Sequence, residues 1–152
     1  MSKTIGEAYN EIINKVIEIL NAERVEGGKL EGVKRIIRGD RTKGVIKPPV
    51  IWVYQDQITS EEITSRKERK TLPLILVAVY QSNDPEKGHI NSTDLVDKAL
   101  NIVLKDRQLG GFSYIYDIKS GPFEPSSPLF ADESGVYGAG ATVNILFDII
   151  RD

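Results

Sequence analysis

The feature that most constrains this chain is the run Leu72-Pro73-Leu74-Ile75-Leu76-Val77-Ala78-Val79-Tyr80, apolar at nearly every position. A strand with one wet side alternates apolar and polar residues, whereas a strand covered on both faces does not. The run therefore predicts a strand at the centre of a sheet, and the rest of the chain must supply its neighbours and covering layers. The polar turn Gln81-Ser82-Asn83-Asp84-Pro85-Glu86-Lys87-Gly88-His89 comes next. A helix follows, with Asn91, Ser92 or Thr93 as its N-cap and Asp94 and Asp97 against the positive end of its dipole. Leu95, Val96, Ala99, Leu100, Val103 and Leu104 make its apolar face, and Leu109-Gly110-Gly111 breaks it.

Other elements fall in place around this block. Thr4 and Glu7 have capping-box spacing, and Ile5, Tyr9, Ile12, Ile13, Val16, Ile17 and Leu20 recur at helical intervals, so the chain opens with a core-facing helix that Gly27-Gly28 ends. Residues 24–47 are locally basic, and Val33-Lys34-Arg35-Ile36-Ile37-Arg38 within them reads as an edge strand guarded by its cations. The functional alternative there is a phosphate-contacting patch, which the lack of interleaved aromatics disfavours. Pro48-Pro49 leads into the short strand Val50-Ile51-Trp52-Val53-Tyr54. Residues 55–70 carry mixed charge without Gly or Pro and read as an arm continuing the sheet, with a helical turn as the alternative. Phe112, Tyr114, Tyr116 and Ile118 alternate along one further strand, and Val143, Ile145, Phe147 and Ile149 along the last.

Between these strands, residues 120–140 read as a long irregular loop, an uncommon feature that is usually functional or disordered. Phe123, Leu129, Phe130, Val136 and Tyr137 are too many large apolar groups for a solvated linker. They must cover the parent core or meet another chain, which makes this segment the candidate assembly surface. The expected architecture is α+β: an antiparallel sheet of mainly four to five strands flanked by two helices, in one domain spanning residues 1–152.

Composition narrows the function classes. Twenty basic against twenty-two acidic residues leave a net charge of -2, with no global pull toward nucleic acid or anionic membrane. The chain has no cysteine, which excludes disulfides, thiolate nucleophiles and Cys-ligated zinc. The first residues lack the layout of a secretory signal, and no apolar run approaches the ~20 residues of a membrane span. The expectation is a protein that stays where it is made, off the membrane.

Motifs for chemistry are sparse. Gly135-Val136-Tyr137-Gly138-Ala139-Gly140 has neither the spacing nor the following helix of a dinucleotide loop, and its glycines read as turn formers. His89 is the only histidine and reads as an ordinary turn residue. Asp84 and Glu86 lack the further ligands of a calcium loop. A carboxylate pair for acid–base work would have to form across the fold, for example from Asp56 and Asp117. The expectation is therefore a non-enzyme with no catalytic, cofactor or metal site.

The element order, the helix ending in Asp106-Arg107-Gln108-Leu109-Gly110-Gly111, and the alternating final strand Val143-Asn144-Ile145-Leu146-Phe147-Asp148-Ile149 together resemble the tail-terminator, or tail-completion, proteins of long-tailed phages and proviruses. The resemblance covers most of the chain and is one of layout. It implies a virion structural protein that closes the head-proximal end of the tail tube as a six-fold homo-oligomeric ring and joins it to the head connector, with no bond making. It also implies assembly in the host cytoplasm, tail-tube and head-connector partners, and DNA passing without sequence specificity. By the same analogy the 123–137 segment or the 55–70 arm mediates contacts, and Arg66, Lys67, Arg69 and Lys70 face the lumen. Two rivals stay open. One is a small α+β ligand-binding or regulatory module, cytoplasmic rather than viral, with the 120–140 loop as a lid. The other is a nucleic-acid-binding protein using residues 24–47.

Overall fold

The computed structural model describes residues 3–39, 48–128 and 135–151. Its elements run α1 (Ile5–Ala22), β1 (Arg35–Arg38), β2 (Val50–Gln55), β3 (Thr59–Glu62), β4 (Lys67–Gln81), α2 (Pro85–Leu104), β5 (Ile115–Pro128) and β6 (Val136–Ile150). The strands form one six-stranded sheet in the order β1-β2-β4-β6-β5, with β3 pairing β4 beyond the end of β2. The α+β class is as expected, and the apolar run does lie in the central strand.

Three details differ from the expectation. The sheet is mixed, because β1 runs parallel to β2 while every other pair is antiparallel. An apolar pattern carries no strand direction, and residues 39–49 supply the roughly dozen-residue connection a parallel pair needs. The arm at 55–70 does continue the sheet, but as a hairpin with Glu62 opposite Glu68 before the turn, and this adds a strand beyond the four to five expected. Finally, the segment read as a 120–140 loop is mostly the paired ends of β5 and β6.

Period-two alternation along β4 and β6 sorts their side chains onto two faces. On the first lie Leu72, Leu74, Leu76 and Ala78 of β4 with Val143, Ile145, Phe147 and Ile149 of β6, all buried. Both helices cover this face: Ala8, Ile12, Ile13, Val16 and Leu20 of α1 and Val96, Ala99, Leu100 and Val103 of α2 belong to the same cluster. Each large side chain sealed there contributes about 1.5–3 kcal/mol of burial free energy. The second face carries a smaller cluster of Val50, Trp52, Val77, Val79 and Val136, with Ile37, Tyr54 and Ile75 packed against it. The central strand is thus buried on both faces around Val77 and Val79 and only half-buried on the second face at Pro73 and Ile75.

The helix termini follow their local chemistry. The Thr4 hydroxyl accepts from the Glu7 amide at 3.1 Å, and the Glu7 carboxylate accepts from the Thr4 amide at 3.2 Å. Helix α2 begins six residues before the earliest expected N-cap, at Pro85 instead of Asn91. Its cap is Asp84, which accepts from the Glu86 amide at 3.0 Å, and Pro85 occupies the first turn, where its missing N–H costs nothing. Gly88, which reads as a turn residue, is a helical contact point: a methyl group there would run into the Tyr137 ring.

Two glycine substitutions separate these roles. Gly88→Ala is expected to destabilise the fold by about 1–3 kcal/mol through overpacking against Tyr137. Gly6→Ala, where an added methyl meets nothing within 4 Å, should stabilise α1 by up to about 0.5–1 kcal/mol. Urea denaturation of both variants checks the opposite signs.

Candidate assembly surface

The β5–β6 hairpin shapes the second face of the sheet. Along β5 the register with β6 shifts at 115/117, 120/123 and 124/127. Such irregularities bend and twist a strand. Pro122 and Pro125 lie within the shifted stretches and have no N–H to offer, so the outer edge of β5 lacks a continuous row of donors. The other margins are guarded too. Strand β1 is four residues long and carries exposed Arg35 and Arg38, and β3 is four exposed residues that include Glu61 and Glu62.

Bending brings β5 over the second face and leaves a cleft of about 150 Å³. Tyr54, Ile75 and Val77 wall one side, Pro122, Glu124, Pro125 and Ser127 the other, and Gly138, Gly140 and Thr142 of β6 belong to its floor. The backbone at Gly140 is not in the left-handed region, and a Cβ there would meet Leu76 O at 3.7 Å and Glu124 Cβ at 3.9 Å, ordinary contacts. Neither conformation nor internal packing requires glycine at 140. Its effect is to keep the cleft open, where Gly140 faces Glu124 at the start of the 124/127 register shift; strand glycines commonly mark a bulge or a close approach.

The far end of the same face is charged. Arg69 donates from Nε to Asp148 Oδ1 at 2.8 Å and from a terminal nitrogen to Oδ2 at 3.3 Å, and its guanidinium lies 3.4 Å from the centre of the Tyr116 ring. Lys67 Nζ is 3.4 Å from Asp148. Burial raises the Asp148 carboxyl, but the Arg69 hydrogen bond and the charges of Arg69 and Lys67 outweigh it and hold the group below the usual carboxylate range. On the helix-covered face, Lys70 is buried and sits 2.7 Å from Glu68, which Arg151 also reaches at 3.2 Å. Hydrogen bonds from Lys70 and then Arg151 pull the Glu68 carboxyl down.

The expected lumen set is therefore divided by strand alternation. Lys67 and Arg69 share one face, Lys70 occupies the other, and all three are ion-paired. Arg66, in the turn, is exposed and has no ion-pair partner among the described residues. Of the expected interface set, Phe123 is 40% exposed on β5. Val136 is buried in the second-face cluster, and Tyr137 is buried against α2 with its ring 4.6 Å from that of His89. Leu129 and Phe130 lie outside the described residues.

Other expected residues also find definite places. His89 lies in the helix, not in a turn, and is half-buried, with Nδ1 3.1 Å from Ser126 Oγ. Ser92 donates to Gly88 O at 2.9 Å and lies 2.6 Å from Ser126 Oγ, so the group ties β5 to α2. Asp56 and Asp117 do not pair: β4 and β6 stand between them, and Asp117 meets Arg107 at 2.6 Å. In the basic stretch, Arg24 binds Val33 O and Asn21, and Arg38 binds Asn10 at 2.7 Å, so both serve the fold. Residues 40–47 of that stretch are outside the description. Among the described residues no cluster of three or more His, Asp and Glu side chains could hold a metal, and no helix is long and apolar enough to cross a membrane.

Nothing in the sequence reading brings the cleft residues Tyr54, Ile75, Glu124 and Gly140 together. The available signal is the alternation of Val136, Gly138, Gly140, Thr142 and Asn144 against Tyr137, Ala139, Ala141, Val143 and Ile145, which carries the last strand back from Val143 to Val136. Comparison of the chain with protein-family models and with curated proteins returns no match.

The charged end has a pH signature. A carboxylate depressed in the folded state contributes stability that is complete above its unfolded value, near 3.9, and is lost as pH falls through the lower folded value. Asp148→Asn is expected to cost about 1 kcal/mol at pH 7, a figure kept small by partial solvent screening, and the gap to the parent protein should close below about pH 4. Denaturation series at several pH values measure this.

Proposed function

We propose that the chain is a virion structural protein that closes the head-proximal end of a phage tail tube as a homo-oligomeric ring, six-fold by family resemblance, and joins it to the head connector. The observation that carries this reading is the combination of guarded sheet margins with a glycine-floored cleft on the face away from the helices. Guarded margins disfavour open-ended strand addition, while an unfilled cleft favours a specific contact. The α+β layout with a sheet flanked by helices supports the resemblance. In this reading the chain breaks no bond, and its work is shape: it ends tube polymerisation and offers a face to the connector at the tail–head junction of the virion. Passing DNA would meet Lys67 and Arg69 already neutralised by Asp148, a lining suited to movement rather than to binding.

The ligand-binding reading has one observation in its favour, since Pro122, Glu124, Pro125 and Ser127 from the segment expected to act as a lid do wall the cleft. Its volume of about 150 Å³ is well under the ~300–1,000 Å³ of typical small-molecule sites. Negative-stain electron microscopy over a wide concentration range is expected to show discrete rings with a central opening. Monomers throughout, together with thermal stabilisation by a small metabolite, would replace the ring by the binding module.

A further inference from the structure

The turn of the β3–β4 hairpin, residues 63–66, presents two side chains with the chemistry to fill the cleft. Ile63 is 39% exposed, an apolar group on an otherwise polar tip. Arg66 is the turn's cation and has no ion-pair partner among the described residues. The cleft offers the complement: apolar walls from Tyr54 and Ile75, a floor opened by Gly140, and, among the described residues, Glu124 as the one charged group lining it. Its volume suits one branched aliphatic side chain.

The two surfaces cannot meet within one chain. Gly140 is paired with Val77, ten residues along β4 from Lys67, where the turn ends. At about 3.3 Å per residue that is roughly 33 Å. We infer that the hairpin tip of one subunit inserts Ile63 into the Gly140 cleft of the next, with Arg66 pairing Glu124 across the contact. The occupant is a second copy of this chain. Two different patches meet, so the contact is heterologous and propagates head to tail, closing into a ring when the rotation per subunit allows it. The inference rests on the ring reading and assigns Arg66 to the subunit contact instead of the DNA lining.

The absence of native cysteine makes the contact directly testable. Chains carrying Ile63→Cys and chains carrying Gly140→Cys are mixed and oxidised, and the mixed disulfide is counted by mass. Chains with Ile63→Cys mixed with chains with Ile90→Cys, an exposed helical position, give the collisional background. A disulfide needs Cα atoms about 4.4–6.8 Å apart, so only a docked tip forms it efficiently. The expected yield is about tenfold over background, falling about tenfold when Glu124→Lys is added and recovering when Arg66→Glu accompanies it. Thr142→Cys serves as a second floor position if Gly140→Cys fails to fold.

Mixed disulfide together with rings of the unmodified protein supports both contact and ring. Mixed disulfide with only open chains by microscopy supports the contact and overturns the ring. Rings with no yield above background overturn the contact and leave the ring standing. Neither rings nor yield above background overturns both.

Discussion

The pairing of β4 with β6 is the constraint on which everything else rests. It runs residue for residue from Lys67 opposite Ile150 to Gln81 opposite Val136, without a register shift. Because side chains alternate, this one ladder decides the composition of both faces at once. A slip of β6 by one residue against β4 would turn Val143, Ile145, Phe147 and Ile149 away from the helices and send Gly138, Gly140 and Asp148 toward the core. The helix-covered core and the opposite cleft are therefore two consequences of the same register.

A sheet can grow through its edges or bind through its faces, and this one disfavours the first route at each margin. Bulges and prolines interrupt β5, charge and brevity limit β1 and β3. These devices have costs. Gly140 gives up strand propensity and Pro122 and Pro125 give up donors, yet the interior gains nothing from the glycine. Departures from local preference that the fold itself does not need are most simply understood as serving something outside the subunit.

The strongly periodic parts of the fold were legible: the α1 stripe, the capping box, the central strand and the final alternation all appear where their patterns place them. Failures occurred where a residue type had two physical uses. Pro85 and Gly88 read as turn residues, but a proline suits a first helical turn and a glycine suits a helix crossed by an aromatic ring. Pro122, Pro125 and the glycines at 138 and 140 read as loop, although bulges admit proline and a cleft floor admits glycine. Strand direction in β1 and the ion pairing of Lys67 and Arg69 depend on partners 15 to 81 residues away in sequence, such as Val50 and Asp148, and no local pattern encodes them. Phe123, Val136 and Tyr137 all stand out in the sequence by their size, but only Phe123 is exposed; tertiary packing claims the other two.

The ion pairs acquire a geometric meaning in a head-to-tail assembly. The desolvation of largely buried charges offsets much of their attraction, so Arg69 with Asp148 on one face and Lys70 with Glu68 on the other are weak as arguments about folding energy. Those that cross from β4 to β6 or to Arg151 beyond it also tie strands together. Together with Arg151 on Glu68 and Tyr116 stacked on Arg69, they clamp the base of the β3–β4 hairpin from both sides of the sheet. In the proposed contact, where a tip docks into a second copy, the direction of that hairpin would set the rotation between neighbours. A small, fixed angular error accumulates around a ring and is the difference between closure and an open helix. A hairpin that carries the contact must then be stiffer than its own stability requires, and cations held by carboxylates at its base, rather than left free for a polyanion, are a direct way to make it so.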